Sequence, residues 1–261
     1  MYKVAVVISV GKESLEILEK LVNQISNIFF DKKLIYAIKI ILSTDDYTPL
    51  KSQNYVNKLA KKYKCVIANH IEIKKKGQTF ARTYLSGFEM AISNKFNCIV
   101  EMDVATHNPN EILKFVEGIQ KEGNDCIFST RFSKGGSFKN IPKQRILVSK
   151  VGTILANICY GIYPPLPDLT SGYEAFSVKF VKKLFLKSDI NKWVSVNIIP
   201  HLIQTELRVL SIKLGAKYKF VSIKYGGNKQ GTKLKLIYLY QAIKGFMISV
   251  VRYHCGKYWI L

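Results

Sequence analysis

Five short apolar runs recur through the first half of the chain: Lys3 to Val10, Tyr36 to Leu42, Cys65 to Ala68, Cys98 to Met102 and Asp125 to Ser129. Longer amphipathic stretches such as Ser14 to Ile28 separate them. Runs this short, bounded by polar residues, read as buried strands, and the apolar residues at helical spacing between them read as crossover helices. The rhythm is that of βαβ units, which predicts an α/β fold with a mostly parallel central sheet flanked by helices. With 261 residues, 48% of them hydrophobic, the chain can bury one full core, and a single domain is expected over residues 1–233. Residues 234–261 form an apolar, aromatic and basic C-terminal segment.

Ligands of such sheets bind beyond the carboxyl ends of the strands. The polar clusters Ser43 to Tyr47, Asp103 to Asn108 and Arg131 to Ser137 all fall there, so three strand ends are expected to converge on one site. The chain carries 40 Lys+Arg against 18 Asp+Glu, a formal charge of +22, which calls for a polyanionic partner: nucleic acid, anionic lipid or a phosphorylated substrate. No nucleic-acid motif accompanies the charge, so nucleic acid is not the expected partner. The five cysteines are scattered, odd in number and without a CxxC pair, which argues against a disulfide framework or zinc site and for a reducing cytosolic compartment. No segment reaches eighteen uncharged apolar residues, and the opening MYKVAVVISVGKES reads as a first strand, so any membrane contact is expected to be peripheral. Lys139 to Tyr160 and Leu234 to Tyr253, apolar with interspersed lysines and Arg252, suit helices lying among lipid headgroups; helices packed on the core read equally well.

The strongest chemical signal is a strand ending in acid, Cys98-Ile-Val-Glu-Met-Asp103, followed closely by His107 and Asn108. An exposed strand-terminal carboxylate with such neighbours can hold a divalent cation against a diphosphate. Asn108-Pro-Asn-Glu111 can equally serve as a helix cap. Next come Arg131 in Arg-Phe-Ser-Lys-Gly-Gly-Ser137, then Arg145 and Ser149. A guanidinium fork matches phosphate oxygens and stays charged. Asp168-Leu-Thr-Ser-Gly-Tyr173 makes a tight turn able to bring backbone amides to a sugar or phosphate.

In this order and spacing the motifs resemble those of the family 2 inverting glycosyltransferases, and within them the polyprenyl-phosphate and dolichyl-phosphate mannose/glucose synthases. Met102-Asp103-Val-Ala105-Thr-His107-Asn-Pro109 is similar to the group's Met-Asp-x-Asp-x-x-x-x-Pro signature, with Ala105 where the second acid is expected. The resemblance implies a GT-A-type, Rossmann-like domain with amphipathic membrane-surface helices. It implies inverting transfer of a hexose from a nucleotide sugar to a polyprenyl phosphate, by a peripheral protein on an anionic membrane surface at the cytoplasmic face. Asp103, Arg131, Arg145 and Ser149 would be catalytic, the last three holding the acceptor phosphate. Mg2+ or Mn2+ would rest on Asp103 and His107. Glu13, Asp45, Asp46, Arg82, Asp103, Lys224 and Lys229 would meet the donor, Lys224 and Lys229 in place of the arginine that such loops usually carry.

An acceptor phosphate is already ionised near neutral pH and needs no general base. A glycan acceptor would need one, with Glu174 or Asp168 as the candidates. A non-catalytic polyanion binder is the reading from another class. His70, His201 and His254 read as packing or surface residues, and Trp193 as a buried aromatic.

Overall fold

The computed structural model describes residues 1–30, 35–73, 79–104, 106–226 and 236–260. The five expected strands are present as β1 (Tyr2–Ser9), β2 (Tyr36–Asp45), β3 (Val66–Ile71), β4 (Cys98–Glu101) and β5 (Cys126–Thr130). Between them run α1 (Leu15–Phe30), α2 (Leu50–Lys62), α3 (Thr79–Ser93) and α4 (Ile112–Gln120). The second half adds β6 (Ser137–Phe138), α5 (Lys143–Tyr160), β7 (Glu174–Ser177), α6 (Val178–Lys187), α7 (Val194–Asn197), α8 (Ile203–Lys213), β8 (Tyr218–Ser222), β9 (Lys224–Tyr225) and α9 (Leu236–His254).

Seven strands form one sheet in the order β3-β2-β1-β4-β7-β5-β8, while β6 and β9 pair apart from it. All neighbours in the large sheet are parallel except β7, which runs antiparallel to both β4 and β5. Both faces are covered, which explains why the strands read as continuous apolar runs. Alternate residues of β1 divide between two cores: Val4, Val6 and Ile8 join the side of α1, α2 and α4, whereas Ala5 and Val7 join the side of α3, α6 and α8. Helix α1 places Leu18, Leu21, Val22, Ile25 and Phe29 on one stripe, all buried. Each such side chain contributes about 1.5–3 kcal/mol on leaving water. Helix α3 crosses so close over β1 that a side chain at Gly87 would collide with Val7, so this position tolerates only glycine.

The C-terminal segment is helix α9, docked on α5: the Tyr160 ring meets Phe246 and Tyr253 edge-on, and its hydroxyl is paired with that of Ser249 at 2.7 Å. Among the described residues no helix is long and apolar enough to cross a membrane.

Candidate functional site

The carboxyl ends of β1, β2 and β4 open onto one cavity of about 740 Å3. It is lined by Gly11 and Glu13 after β1, Asp45 and Tyr47 at the end of β2, and Asp103 and Thr106 after β4. The lining also takes Arg145 from the first turn of α5, Thr170 and Gly172 from the segment entering β7, His201 from the turn before α8 and Gln204 from its start. At Gly172 the missing side chain makes room for Gln204, whose amide nitrogen would stand only 2.8 Å from a Cβ there.

Asp103 is enclosed but open to the cavity. Burial raises its carboxyl above the usual range, against the lowering effect of the Tyr84 hydroxyl, the His201 charge and Thr106. The Tyr84 hydroxyl reaches its Oδ1 at 3.0 Å and the Met102 carbonyl at 3.0 Å, and the Thr106 hydroxyl donates to Oδ2 at 3.4 Å. No ion pair among the described residues includes Asp103. A carboxylate in this position, oriented by two hydroxyls and without a countercharge, fits a divalent cation that takes one or two protein carboxylates and completes its shell with phosphate and water. No three His, Cys, Asp or Glu side chains among the described residues group as a metal site.

His107 does not fit as the second ligand expected from sequence. Its Nδ1 accepts the Asp103 backbone N–H at 2.9 Å, and its ring stacks on Tyr173 at 4.7 Å. Burial, helped by the Arg131 charge, lowers its pKa to about 3, so it is neutral. The remaining Nε2 is sealed off without a partner, and the ring is outside the cavity lining. His107 positions the backbone that carries Asp103. Ala105 lies outside the described residues.

Of the three residues expected at an acceptor phosphate, Arg145 lines the cavity and forms no ion pair among the described residues. Ser149 stands one turn further along α5, so the two share a helix face. Arg131 is placed differently. It is 6% exposed, and its fork is spent on Asp168 at 2.8 and 2.9 Å, with Thr170 at 2.6 Å. Three rings, Phe132, Phe138 and Tyr225, surround its guanidinium at 5.0–5.7 Å. Burial alone would raise Asp168, but the Arg131 fork and the Arg208 charge outweigh it and hold that carboxyl below its usual range. Arg131 therefore braces the Thr170 rim instead of offering a free fork to the cavity.

The expected donor residues separate in the same way. Glu13 lines the cavity, and its Oε2 accepts the Gly11 N–H at 2.5 Å. Asp45 also lines it; Oδ1 closes a turn on the N–H groups of Tyr47 and Thr48 at 2.9 and 2.8 Å, while no described residue donates to Oδ2. Asp46 turns away to β3, where it meets His70 at 3.2 Å and the Ile73 N–H at 2.8 Å. Arg82 lies outside the lining on α3, its charge felt at Glu89 two turns on. Lys224 is exposed on β9 and is also outside the lining; the next residue, Tyr225, is the one that reaches the cavity. Lys229 is outside the described residues.

One functional candidate was not legible from sequence. His201 lines the cavity with neither ring nitrogen hydrogen-bonded to a described residue, and its ring rests against Phe80 at 4.9 Å. Burial lowers its pKa, opposed by the Asp103 charge and reinforced by that of Arg145. Nothing in Ile199-Pro-His201 marks it; only the folding of the turn Pro200–Leu202 against α3 brings it in.

Behind Gln204 lies a buried polar layer. Glu101 and Glu174 face each other across β4 and β7, both at 0% exposure, each with one carboxyl oxygen lacking a partner. Burial and the neighbouring Glu174 charge push Glu101 well up; burial raises Glu174 from 4.5 to about 7 despite the Arg208 charge. The pair retains protons that an unfolded chain has released. Stability is therefore full below the ordinary glutamate range and falls as pH rises from about 4.5 through about 7. Glu101→Gln keeps an acceptor for the Gln204 amide and gives Glu174 a neutral neighbour. Its melting temperature should change less than the wild type's between about pH 5 and about pH 8 in calorimetry, with the gain appearing at the higher pH.

No family model matches the chain. A dolichol-phosphate mannosyltransferase of Pyrococcus furiosus is 30% identical over 181 residues, 69% of this chain and 47% of that protein. A polyprenol monophosphomannose synthase of Mycolicibacterium smegmatis is 27% identical over 106 residues, 40% of this chain and 39% of that protein. Each match thus spans less than half of the relative's own length. Glucosyl-3-phosphoglycerate synthase from Mycobacterium tuberculosis, solved with Mn2+, uridine diphosphate and phosphoglyceric acid, superposes with a TM-score of 0.62 over 97% of this chain and 78% of that chain, at 12% identity. The chain has a GT-A fold and is similar, over part of their length, to these two sugar transferases. The cavity at the sheet end is where such a fold places its ligands.

Proposed function

We propose that this GT-A-fold chain transfers a hexose, with inversion, from a nucleotide diphosphate sugar to a polyprenyl phosphate, as a peripheral protein on the cytoplasmic face of a membrane. The observation that carries the reading is that Arg145, without an ion-pair partner among the described residues, and Asp103 line one cavity at the strand ends. Asp103, with Mg2+ or Mn2+, would neutralise the leaving diphosphate, and Arg145 would draw in the acceptor phosphate. Arg131 would act through Thr170, and Ser149 would extend the acceptor face of α5. The cation, when bound, supplies charge at the leaving group. The names of the two sequence relatives support a lipid phosphate as acceptor. A glycan acceptor is less well supported, because its candidate bases Asp168 and Glu174 are both fully buried in ion pairs with arginine and lie outside the cavity lining.

Two helices support the membrane part. On α5, Leu147, Val151, Ile154, Leu155 and Ile158 are exposed, and on α9 Tyr240, Ile243, Met247 and Val251 are exposed. Each set recurs at helical spacing, and lysines such as Lys143, Lys150 and Lys244 are interspersed. Basic residues at an anionic surface contribute about 1 kcal/mol each.

One experiment with two arms tests the reading. Purified protein, a panel of labelled nucleotide sugars, polyprenyl phosphate and Mg2+ or Mn2+ should place label in the organic phase; label that stays in water overturns the transfer. The same protein should float with anionic vesicles at moderate salt, and Ile154→Glu with Ile158→Glu should sink it. A wild type that ignores the vesicles removes the membrane assignment and leaves the transfer standing.

A further inference from the structure

We propose that His201 is the second protein ligand of the cation at Asp103, an imidazole nitrogen taking the place of the carboxylate that Ala105 does not supply. The inference rests on the proposed transfer only in assuming that a divalent cation works at Asp103.

Three observations lead to it. First, Asp103 and His201 flank one aromatic pair on α3. The Phe80 ring meets both Tyr84 and His201 at 4.9 Å, and the Tyr84 hydroxyl holds Asp103 Oδ1 at 3.0 Å. Phe80 and Tyr84 are four residues apart, so a single helix face sets the carboxylate and the imidazole on the same cavity. Second, the other histidines are committed. His70 is held by Thr44 and Asp46, His107 by the Asp103 N–H, and His254 by the Cys159 carbonyl. Only His201 has both ring nitrogens free of hydrogen bonds to described residues, and it is exposed to the cavity. Third, its backbone is stiff: His201 follows Pro200, whose ring fixes φ, in a short turn packed against α3. A ligand on such a turn is placed before the cation arrives.

The chemistry of the pair differs from that of two carboxylates. An oxygen pair suits Mg2+, whereas an imidazole nitrogen moves preference along the first transition row, towards Mn2+ and Co2+. Two protein ligands leave the remaining positions to diphosphate oxygens and water, as is usual where the cation belongs partly to the substrate. His201 thus sets the cation specificity of the cavity, with Mn2+ bound more tightly than Mg2+.

Pulsed electron paramagnetic resonance on protein loaded with Mn2+ and uridine diphosphate tests this directly, because a coordinated imidazole imprints nitrogen couplings on the Mn2+ echo. Uniform 15N labelling of the protein separates those couplings from any due to the nucleotide. The wild type should show protein 15N couplings. His201→Gln should lose them and bind Mn2+ at least about 10-fold more weakly, since even the outer partner of a ligand is worth that much, with its circular dichroism unchanged. Asp103→Asn should lose bound Mn2+ altogether. Absence of bound Mn2+, absence of nitrogen coupling in the wild type, or coupling that survives in His201→Gln each overturns the inference. A His201 that touches only the acceptor phosphate leaves the echo free of nitrogen and counts against it too. Nitrogen coupling without sugar transfer would remove the proposed function and leave the metal ligand; transfer without nitrogen coupling would do the reverse.

Discussion

Asp103→Asn should lower sugar transfer by about 100- to 1000-fold, the range seen when a single charge-stabilising group is removed from a reacting centre. The substitution keeps the size of the side chain and an oxygen for the Tyr84 hydroxyl, so the strand end should hold its shape. It removes the negative charge, and with it the only carboxylate after β4 that lines the cavity among the described residues. Stability should not suffer. Burial already raises this carboxyl, so the folded protein carries an electrostatic cost there that the amide relieves. The measurement is an initial rate with saturating cation, paired with a thermal melt. A variant that is inactive and as stable as the wild type places the loss in chemistry. One that retains full rate removes Asp103 from the mechanism.

The largest effect on stability is expected at Arg208, which is fully buried on α8. Its Nε donates to Glu174 at 2.7 Å, Nη1 donates to the Asp168 carbonyl, and the guanidinium lies 5.1 Å from the Phe128 ring centre. Arg208→Met leaves Glu174 beside Glu101 with no countercharge. Breaking one side of a buried pair costs about 3–5 kcal/mol. For a chain of this size that corresponds to a fall in melting temperature of about 10 °C. Arg208→Lys should rescue little, since a point charge cannot reach both partners as the fork does. The double variant Arg208→Met with Glu174→Gln should recover much of the loss, because the stranded carboxylate is gone. Urea unfolding of the wild type, the single variants Arg208→Met and Glu174→Gln, and the double variant gives the coupling directly. Additive losses would show that the pair does not act as a unit.

The central sheet was legible because its strands are buried on both faces and bounded by polar residues, and because α1 repeats its apolar residues at helical spacing. The antiparallel β7 was not, since Glu174–Ser177 is four residues long and half of it is polar. Two of the three expected strand ends were also legible: Asp45 and Asp103 reach one cavity, joined there by Arg145 of α5, whereas no residue of Arg131 to Ser137 lines it. Which way a side chain points from such an end was not. Asp45 and Asp46 are neighbours in sequence, yet successive residues diverge and Asp46 is drawn to β3 by His70 and the Ile73 N–H. His107 was taken up by the backbone of the acid it was expected to assist. Arg131 carried a phosphate-binding pattern, but Asp168, 37 residues away, occupies its fork. Long-range partners of this kind decide the fate of a polar residue and leave no local trace.

The reversed direction of β7 has an architectural consequence. A forward strand delivers its exit to the rim where β1, β2 and β4 end, but a reversed one delivers its entrance, here the stretch holding Thr170 and Gly172. Lengthening or shortening the chain between Gly161 and Gly172 would therefore reshape the mouth of the cavity. The same edit just after Ser177 would be felt at the opposite edge of the sheet, so two insertions only a few residues apart in sequence would have unrelated outcomes.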